Sequence, residues 1–264
     1  MSTDKPLTYI SYLRLDELLN LQTPRSDGPE HDETLFIVIH QVYELWFKQV
    51  LHEVDYLREA LQANDSARVL ATLKRVLTIF KTLVSQVDVL ETMTPVSFNS
   101  FRERLAESSG FQSAQFRVLE FSLGYKRPQL VANYPEDSGA RRMLEAALAA
   151  PSIPDAFLHY LSLNDYAVPE ELLSRDTTQP LQASDAVQDL LVQAYAKAGF
   201  VMQVCERLVD LDEGLQEWRY RHVKMVERTI GTLPGTGGST GAGYLRSTLF
   251  RPLFPDLWAI RAQL

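Results

Sequence analysis

Cysteine, positive charge and long apolar runs are all scarce in this 264-residue chain. The single cysteine, Cys205, excludes an intrachain disulfide framework and any zinc site built on several thiolates. Lys and Arg number 26 against 34 Asp and Glu, and the net charge of −8 argues against a nucleic-acid-binding protein. No apolar run reaches the roughly 18 residues of a membrane span, and residues 1–10 lack the apolar core of a signal peptide. We therefore expect no nucleic-acid or membrane partner and a cytoplasmic location.

The apolar–polar alternation of half-buried strands is also missing, whereas helical periodicity is strong. With 45% hydrophobic residues, the chain is predicted to form one all-α domain over residues 1–264, a helical bundle built on long antiparallel helices. One long helix is expected from a cap at Asp32 to about Gln62, a second from 66 to about 92, and a third from 184 to 230 with a weak point at Gly199. Prolines break the stretch from about 125 to 183 into short helices, which we interpret as a smaller helical insertion.

Two histidines occupy the apolar stripes of separate predicted helices. His40 lies four residues after Phe36 and three before Tyr43, and His222 lies four residues after Trp218. An imidazole that faces a core costs free energy unless a partner satisfies it. Either histidine alone could be a satisfied core residue. Together they indicate a shared buried group, such as a metal or a haem.

Arg102 and a glycine-rich tract each allow two interpretations. Arg102 lies one helical turn after Phe98, where it is either a snorkelling surface side chain or a clamp for a carboxylate. The tract over 231–244 matches neither phosphate-binding glycine pattern. It is either a flexible linker or a mobile lid over a site, and the apolar segment 245–264 that follows favours the lid because it must pack somewhere.

Four motifs occur together in a distinctive order: HQVYELWFKQ around His40, FRERLAESSGFQSAQFR around Arg102, WRYRHVKMV around His222, and GTGGSTG. In this combination the chain resembles the tryptophan 2,3-dioxygenase family. The resemblance runs from Leu7 to near the C-terminus and is weakest between Tyr125 and Asp210.

The resemblance implies that the bundle encloses one haem b per subunit, ferrous in the active state. By this resemblance His222 is the proximal axial ligand of the iron, and Ser109 and Gly110 form a turn close to the haem. His40 matches the catalytic distal histidine that hydrogen-bonds the indole N–H of the substrate. The resemblance also implies that the indole pocket is lined by Phe36 and Phe98.

The resemblance also assigns the amino-acid end of the substrate and the assembly. Arg102 matches the residue that clamps the carboxylate of L-tryptophan, and Thr236 matches the residue that contacts its ammonium within the active-site loop 231–244. The N-terminal helix, within residues 1–22, is expected to reach into the site of a neighbouring subunit of a homotetramer, a dimer of dimers. By the resemblance, the residues of this helix that reach the neighbouring site are Tyr9, Tyr12 and Leu13.

The implied reaction is cleavage of the indole C2=C3 bond of L-tryptophan by O2, giving N-formyl-L-kynurenine, the first step of tryptophan degradation by the kynurenine route. One alternative is a haem-dependent monooxygenase that hydroxylates an indole or an aromatic amino acid. Another is a haem sensor without enzymatic activity. Arg102 and Thr236 favour an amino-acid substrate, and a sensor needs neither a carboxylate clamp nor a glycine-rich lid.

Overall fold

A computed structural model describes residues 6–28, 30–106, 108–236 and 241–264, and in these ranges it contains helices and no strand. The predicted all-α class is confirmed. The α-helices are α1 Tyr9–Leu13, α2 Leu15–Leu18, α3 His31–Gln62, α4 Ser66–Leu90, α5 Pro95–Arg102, α6 Ala114–Ser122, α7 Gly139–Ala149, α8 Ile153–Leu163, α9 Glu170–Leu173, α10 Asp185–Lys197, α11 Phe200–Ile230, α12 Ala242–Arg246 and α13 Pro255–Ala259. Short 3-10 turns occupy Glu103–Leu105, Gly110–Gln112, Pro128–Asn133 and Ile260–Gln263. None of the described helices is both long and apolar enough to cross a membrane.

Helices α3, α4 and α11 form the frame of the bundle, with α4 packed against both of the others. A tight turn joins α3 to α4: Asn64 adopts the left-handed conformation at φ 54°, and the Asp65 carboxylate caps α4 by accepting from the Arg68 amide at 3.0 Å. The helices are therefore antiparallel neighbours, as predicted. Their inward stripes, which include Val50 and Leu211, are fully buried and form the main core.

The start of α3 differs from the prediction. Asp32 does not cap the helix; Glu30 occupies the N-cap position without a side-chain hydrogen bond, and Asp32 lies in the first turn. The reason is the neighbouring Glu33, which is buried and accepts the backbone N–H of Arg25 at 2.5 Å and of Ser26 at 3.1 Å. Glu33 thus holds the preceding loop against the helix, and no acidic side chain among the described residues caps the first turn.

Two other predicted helices are interrupted. A short helix spanning about 8–22 is in fact α1 and α2, separated by Arg14 in the left-handed conformation at φ 51°. The weak point at Gly199 is a true break, because Ala198 ends α10 in the left-handed conformation at φ 49°. A non-glycine residue in this conformation cannot continue a right-handed helix.

The segment 125–183 is anchored by a buried lysine. The Lys126 ammonium donates to the carbonyls of Ala147, Leu148 and Ala150 at 2.7, 2.8 and 2.7 Å. These carbonyls belong to the C-terminal end of α7, where the helix has no amide partners left for them. Burial lowers the pKa of Lys126 to about 8. One cation therefore completes the end of α7 and joins it to the segment after α6.

The C-terminal segment is attached to α11 through Asp212, a fully buried carboxylate. One of its oxygens accepts the backbone N–H of Leu253 at 2.7 Å, that of Phe254 at 3.2 Å and the indole N–H of Trp258 at 2.9 Å. Charge-assisted hydrogen bonds of this kind are the strong ones, and burial withholds water as a substitute partner. Asp212 therefore fixes where the chain returns after the glycine-rich tract.

We expect Asp212→Ala to lower the free energy of unfolding by about 3 kcal/mol or more, because three N–H groups lose their acceptor in a dry environment. The matched control is Asp210→Ala, which breaks only the exposed Arg207–Asp210 ion pair on the same helix and should cost less than about 1 kcal/mol. Urea unfolding followed by circular dichroism measures both. Equal losses in the two variants would contradict the role assigned to Asp212.

Candidate functional site

A cavity of about 1630 Å³, its mouth included, lies between α3, α5 and α11. It is lined by most of the predicted site residues: Phe36, His40, Phe98, Arg102, Ser109, Gly110, His222 and Thr236. Tyr9, Tyr12 and Leu13 do not line it; they lie on α1 with 74%, 70% and 41% of their surface exposed.

His40 presents a hydrogen-bond acceptor to this cavity. Its Nδ1 lies 2.7 Å from the backbone carbonyl of Phe36, one turn earlier on α3. A carbonyl can only accept, so Nδ1 carries the proton and the neutral ring keeps the lone pair on Nε2. Burial lowers the pKa of His40, which favours this neutral form near pH 7.

Aromatic rings form the wall beside His40. The Phe36 ring lies 4.1 Å from the His40 ring, 5.8 Å from Phe98 and 5.6 Å from Phe101, measured between centroids. Phe98 and Phe101 meet edge to face at 5.5 Å. Rings held at these distances and tilts are mutually stabilised, so the wall is rigid. It can accept a flat apolar ring next to the His40 acceptor.

His222 faces the same cavity from α11. Trp218, one turn earlier, stacks on its ring with centroids 5.1 Å apart and planes at 21°. Burial lowers the pKa of His222 to about 4, with His40 and Arg117 adding to the effect, so the ring is neutral near pH 7. Within the described ranges, neither of its nitrogens has a hydrogen-bond partner. A fixed, neutral imidazole that opens onto a large, mostly apolar cavity fits an axial ligand of haem iron.

Arg102 and Thr236 reach the cavity through contacts with backbone far away in sequence. Arg102 Nη2 donates to the carbonyl of Pro234 at 2.7 Å. The Thr236 hydroxyl donates to the carbonyl of Ser108 at 2.6 Å, so its oxygen lone pairs stay available to an N–H donor. Arg102 keeps further N–H groups for an anion. The cavity therefore holds a cation and a hydroxyl acceptor near its mouth.

The glycine-rich tract 231–244 is described at 231–236 and 241–244. The motif residues Gly237 and Gly238, with Ser239 and Thr240, lie outside the described residues. At the return of the tract Gly241 has φ +61°, and a Cβ there would lie 2.7 Å from the carbonyl oxygen of Leu233. Only glycine fits this close approach, which brings the two ends of the tract together over the cavity.

The structure adds a buried charge cluster that sequence reasoning missed. The Glu120 carboxylate is 1% exposed and pairs with the guanidinium groups of Arg117, Arg127 and Arg219. Burial opposes its ionisation, yet the three cations outweigh burial and hold the pKa of Glu120 below its usual range. Arg117 and Arg219 line the cavity, so the cluster forms a positive patch in its wall.

A signal for part of this cluster was present in the sequence. Arg219 lies three residues before His222 and four after Leu215, which places it on the inward face of the helix. Arg117 and Glu120 are spaced as i and i+3, which is the usual spacing of a solvent-exposed ion pair on a helix. The sequence therefore contained no indication that this pair is buried. Arg127 lies outside any predicted periodic segment.

These features define a class: an all-helical protein whose cavity holds a neutral histidine beside a cation, a hydroxyl group and a wall of aromatic rings. Comparison with known proteins identifies the family. The family model described as tryptophan 2,3-dioxygenase matches residues 2–194 and 160–264. A protein named tryptophan 2,3-dioxygenase from Herpetosiphon aurantiacus is 63% identical over 258 residues, covering 98% of each chain.

Further relatives with that name come from Anaeromyxobacter sp. (strain K) and Caulobacter vibrioides. The first is 60% identical over 260 residues, covering 98% of this chain and 96% of the relative. The second is 44% identical over 261 residues, covering 98% of each chain. This chain belongs to the tryptophan 2,3-dioxygenase family.

We expect Glu120→Gln to lower the free energy of unfolding at pH 7 by about 3–5 kcal/mol, because buried guanidinium groups lose their counter-charge. The folded-state pKa of Glu120 is depressed, so its stabilisation is complete above the unfolded-state pKa of about 4.3. It disappears as the pH falls further. Wild type and variant should therefore converge in acid.

Chemical unfolding between pH 3.5 and 7 tests this expectation. The control is Glu145→Gln, which removes a carboxylate paired with Arg141 at the protein surface and should cost less than about 1 kcal/mol at every pH. A gap between wild type and Glu120→Gln that stays constant down to pH 3.5 would argue against an ionised Glu120.

Proposed function

We propose that this protein cleaves the indole C2=C3 bond of L-tryptophan with O2 to give N-formyl-L-kynurenine, the first step of tryptophan breakdown by the kynurenine route. The observation that carries the proposal is one cavity shared by His222, a neutral imidazole open to a ligand, His40 with its free acceptor nitrogen, and the cation of Arg102. L-tryptophan has an N–H donor and a carboxylate, and a haem needs an axial ligand, so these three groups match the proposed substrate and cofactor.

The family is haem-dependent, and the proposed cofactor is one haem b per subunit, ferrous in the active state. His222 would be the axial ligand, held in orientation by Trp218, with Ser109 and Gly110 beside the haem. When bound, ferrous haem supplies the activation of O2 and the redox chemistry of the cleavage. The chain itself contributes the ligand, the shape of the cavity and the exclusion of water.

His40 positions the indole. Its Nε2 lone pair accepts the indole N–H, while Phe36 and Phe98 enclose the apolar ring. His40 does not act as a base that removes this proton outright, because indole N–H is a far weaker acid than an imidazolium and burial lowers the pKa of His40 further. Its contribution is orientation of the C2=C3 bond.

Arg102 and Thr236 bind the amino-acid end. The Arg102 guanidinium pairs with the substrate carboxylate, and the Thr236 hydroxyl oxygen accepts from the ammonium. Both side chains are already held by backbone carbonyls, so binding need not fix them anew. The tract 231–244 acts as the active-site loop that closes over this end.

The proposed assembly is a homotetramer, a dimer of dimers, in which α1 enters the site of a neighbouring subunit. The exposure of Tyr9, Tyr12 and Leu13 on α1 supports this, because apolar and aromatic side chains grouped on one short helix gain stability when a neighbour covers them. Each chain forms one dioxygenase domain, with about 125–183 as a smaller helical insertion.

The proposal is tested on purified, haem-reconstituted, reduced protein given L-tryptophan and air. Growth of the near-ultraviolet absorbance of N-formylkynurenine is expected, and mass spectrometry after 18O2 labelling should find both oxygen atoms in the product. The control His222→Ala should lose the Soret band together with activity. A product with a single labelled oxygen would identify a monooxygenase, and haem uptake without any product would identify a sensor.

We expect Arg102→Ala to raise the apparent KM for L-tryptophan about ten- to a hundred-fold, because a charge-assisted contact with the carboxylate is lost. The control Arg104→Ala removes a cation two residues away that pairs with Asp27 at 2.8 Å outside the cavity, and it should leave KM unchanged.

Tryptamine, which lacks the carboxylate, sharpens this test of Arg102. Wild type should bind it weakly, and Arg102→Ala should bind it no worse than wild type does. An unchanged KM for L-tryptophan in Arg102→Ala would remove Arg102 from the substrate site.

A further inference from the structure

The charge cluster around Glu120 has more positive than negative charge. Three guanidinium groups surround this one buried carboxylate. The other carboxylate that lines the cavity, Glu44, accepts from the Gln115 amide at 2.8 Å and forms no ion pair within the described ranges. Even with Glu44 counted, the wall retains an excess positive charge. An excess charge in a buried wall is costly unless an anion enters the cavity.

Arg117 is the member of the cluster that is free to bind that anion. The residue is 5% exposed, and only its Nη1 has a partner, Glu120. Its Nε and Nη2 have no partner among the described residues, yet they are not sealed inside protein, so they open onto the cavity it lines. Arg219, by contrast, uses both terminal nitrogens, on Glu120 at 2.9 Å and on the Thr248 carbonyl at 3.2 Å.

A second donor lies next to Arg117. Tyr244 lines the cavity, its ring centroid is 5.8 Å from the Arg117 guanidinium carbon, and its hydroxyl oxygen accepts from Arg127 at 2.8 Å. Because a phenol also carries one donor, the Tyr244 O–H remains available for an oxygen acceptor. A guanidinium edge and an O–H together match the two oxygens of a carboxylate.

The position of this pair indicates which carboxylate it binds. Arg117 lines the same cavity as His222, and Arg219, which shares the Glu120 carboxylate with Arg117, stands three residues before His222 on α11. The substrate carboxylate already has a separate cation, Arg102, held to Pro234. We infer that Arg117 and Tyr244 bind a propionate carboxylate of the haem, with Glu120, Arg127 and Arg219 holding them in place. This rests on the proposed haem-dependent function.

The experiment compares apoprotein binding of haem b with binding of its dimethyl ester, in which both propionates are uncharged. Wild type should prefer haem b. We expect Arg117→Met to lower the affinity for haem b about ten-fold or more and to leave the affinity for the ester nearly unchanged, so that the preference disappears. Arg117→Lys, which keeps the charge without the guanidinium edge, should retain part of it, and Tyr244→Phe should lose a smaller part.

The control Arg228→Met removes one positive charge from α11, where Arg228 stands 3.7 Å from Glu91 and away from the cavity, and it should keep the full preference. Because Arg127 and Arg219 still neutralise Glu120, Arg117→Met is expected to fold, and its unfolding midpoint as apoprotein verifies this. An equal loss of affinity for both porphyrins, or an unchanged preference for haem b, would overturn the propionate assignment.

Failure of the proposed function gives a different result. In that case wild type itself would bind neither porphyrin or would form no N-formylkynurenine when loaded. Wild-type turnover combined with an unchanged haem preference in Arg117→Met would reject only the role of Arg117.

Discussion

The buried carboxylate of Glu120 is the interaction on which the rest of the site depends. It joins Arg117 on its own helix, Arg127 in the following segment and Arg219 on α11. Arg219 lies three residues before His222 on α11, so the same carboxylate links the helix that carries this histidine to α6. None of the three cations would be tolerated in this dry wall alone. Glu120 therefore offsets part of this positive charge and holds the three guanidinium groups together.

Two kinds of contact hold the side chains that line the cavity in place. Helix α3 carries Phe36 and His40, and α11 carries His222. Both helices pack against α4 in the main core. Arg102 and Thr236 instead depend on single hydrogen bonds to the carbonyls of Pro234 and Ser108. Side chains on packed helices move little, whereas side chains tied to turns move with them. The part of the cavity around His40 and His222 is therefore held by helix packing, and the part around Arg102 and Thr236 is held by hydrogen bonds to backbone carbonyls.

This division also explains what the sequence could predict. His40 and His222 were found because helical periodicity places them on inward stripes, and a period needs no knowledge of distant partners. The partners of Arg102 and Thr236 are backbone atoms about 130 residues away, at separations of 132 and 128, and no local pattern reports them. Asp32 failed as a cap because its neighbour Glu33 was recruited by the backbone of Arg25 and Ser26, a tertiary effect that overrides local preference.

The hydrogen bond between His40 and the Phe36 carbonyl lies within one turn of a single helix. The proton on the histidine is therefore assigned by the backbone of its own helix, without help from loops, ligands or a neighbouring subunit. A ring that already holds its proton on the correct nitrogen needs no reorganisation when a donor arrives. The helix itself fixes which nitrogen of His40 is the acceptor, so recognition of an N–H at this point needs no change of tautomer.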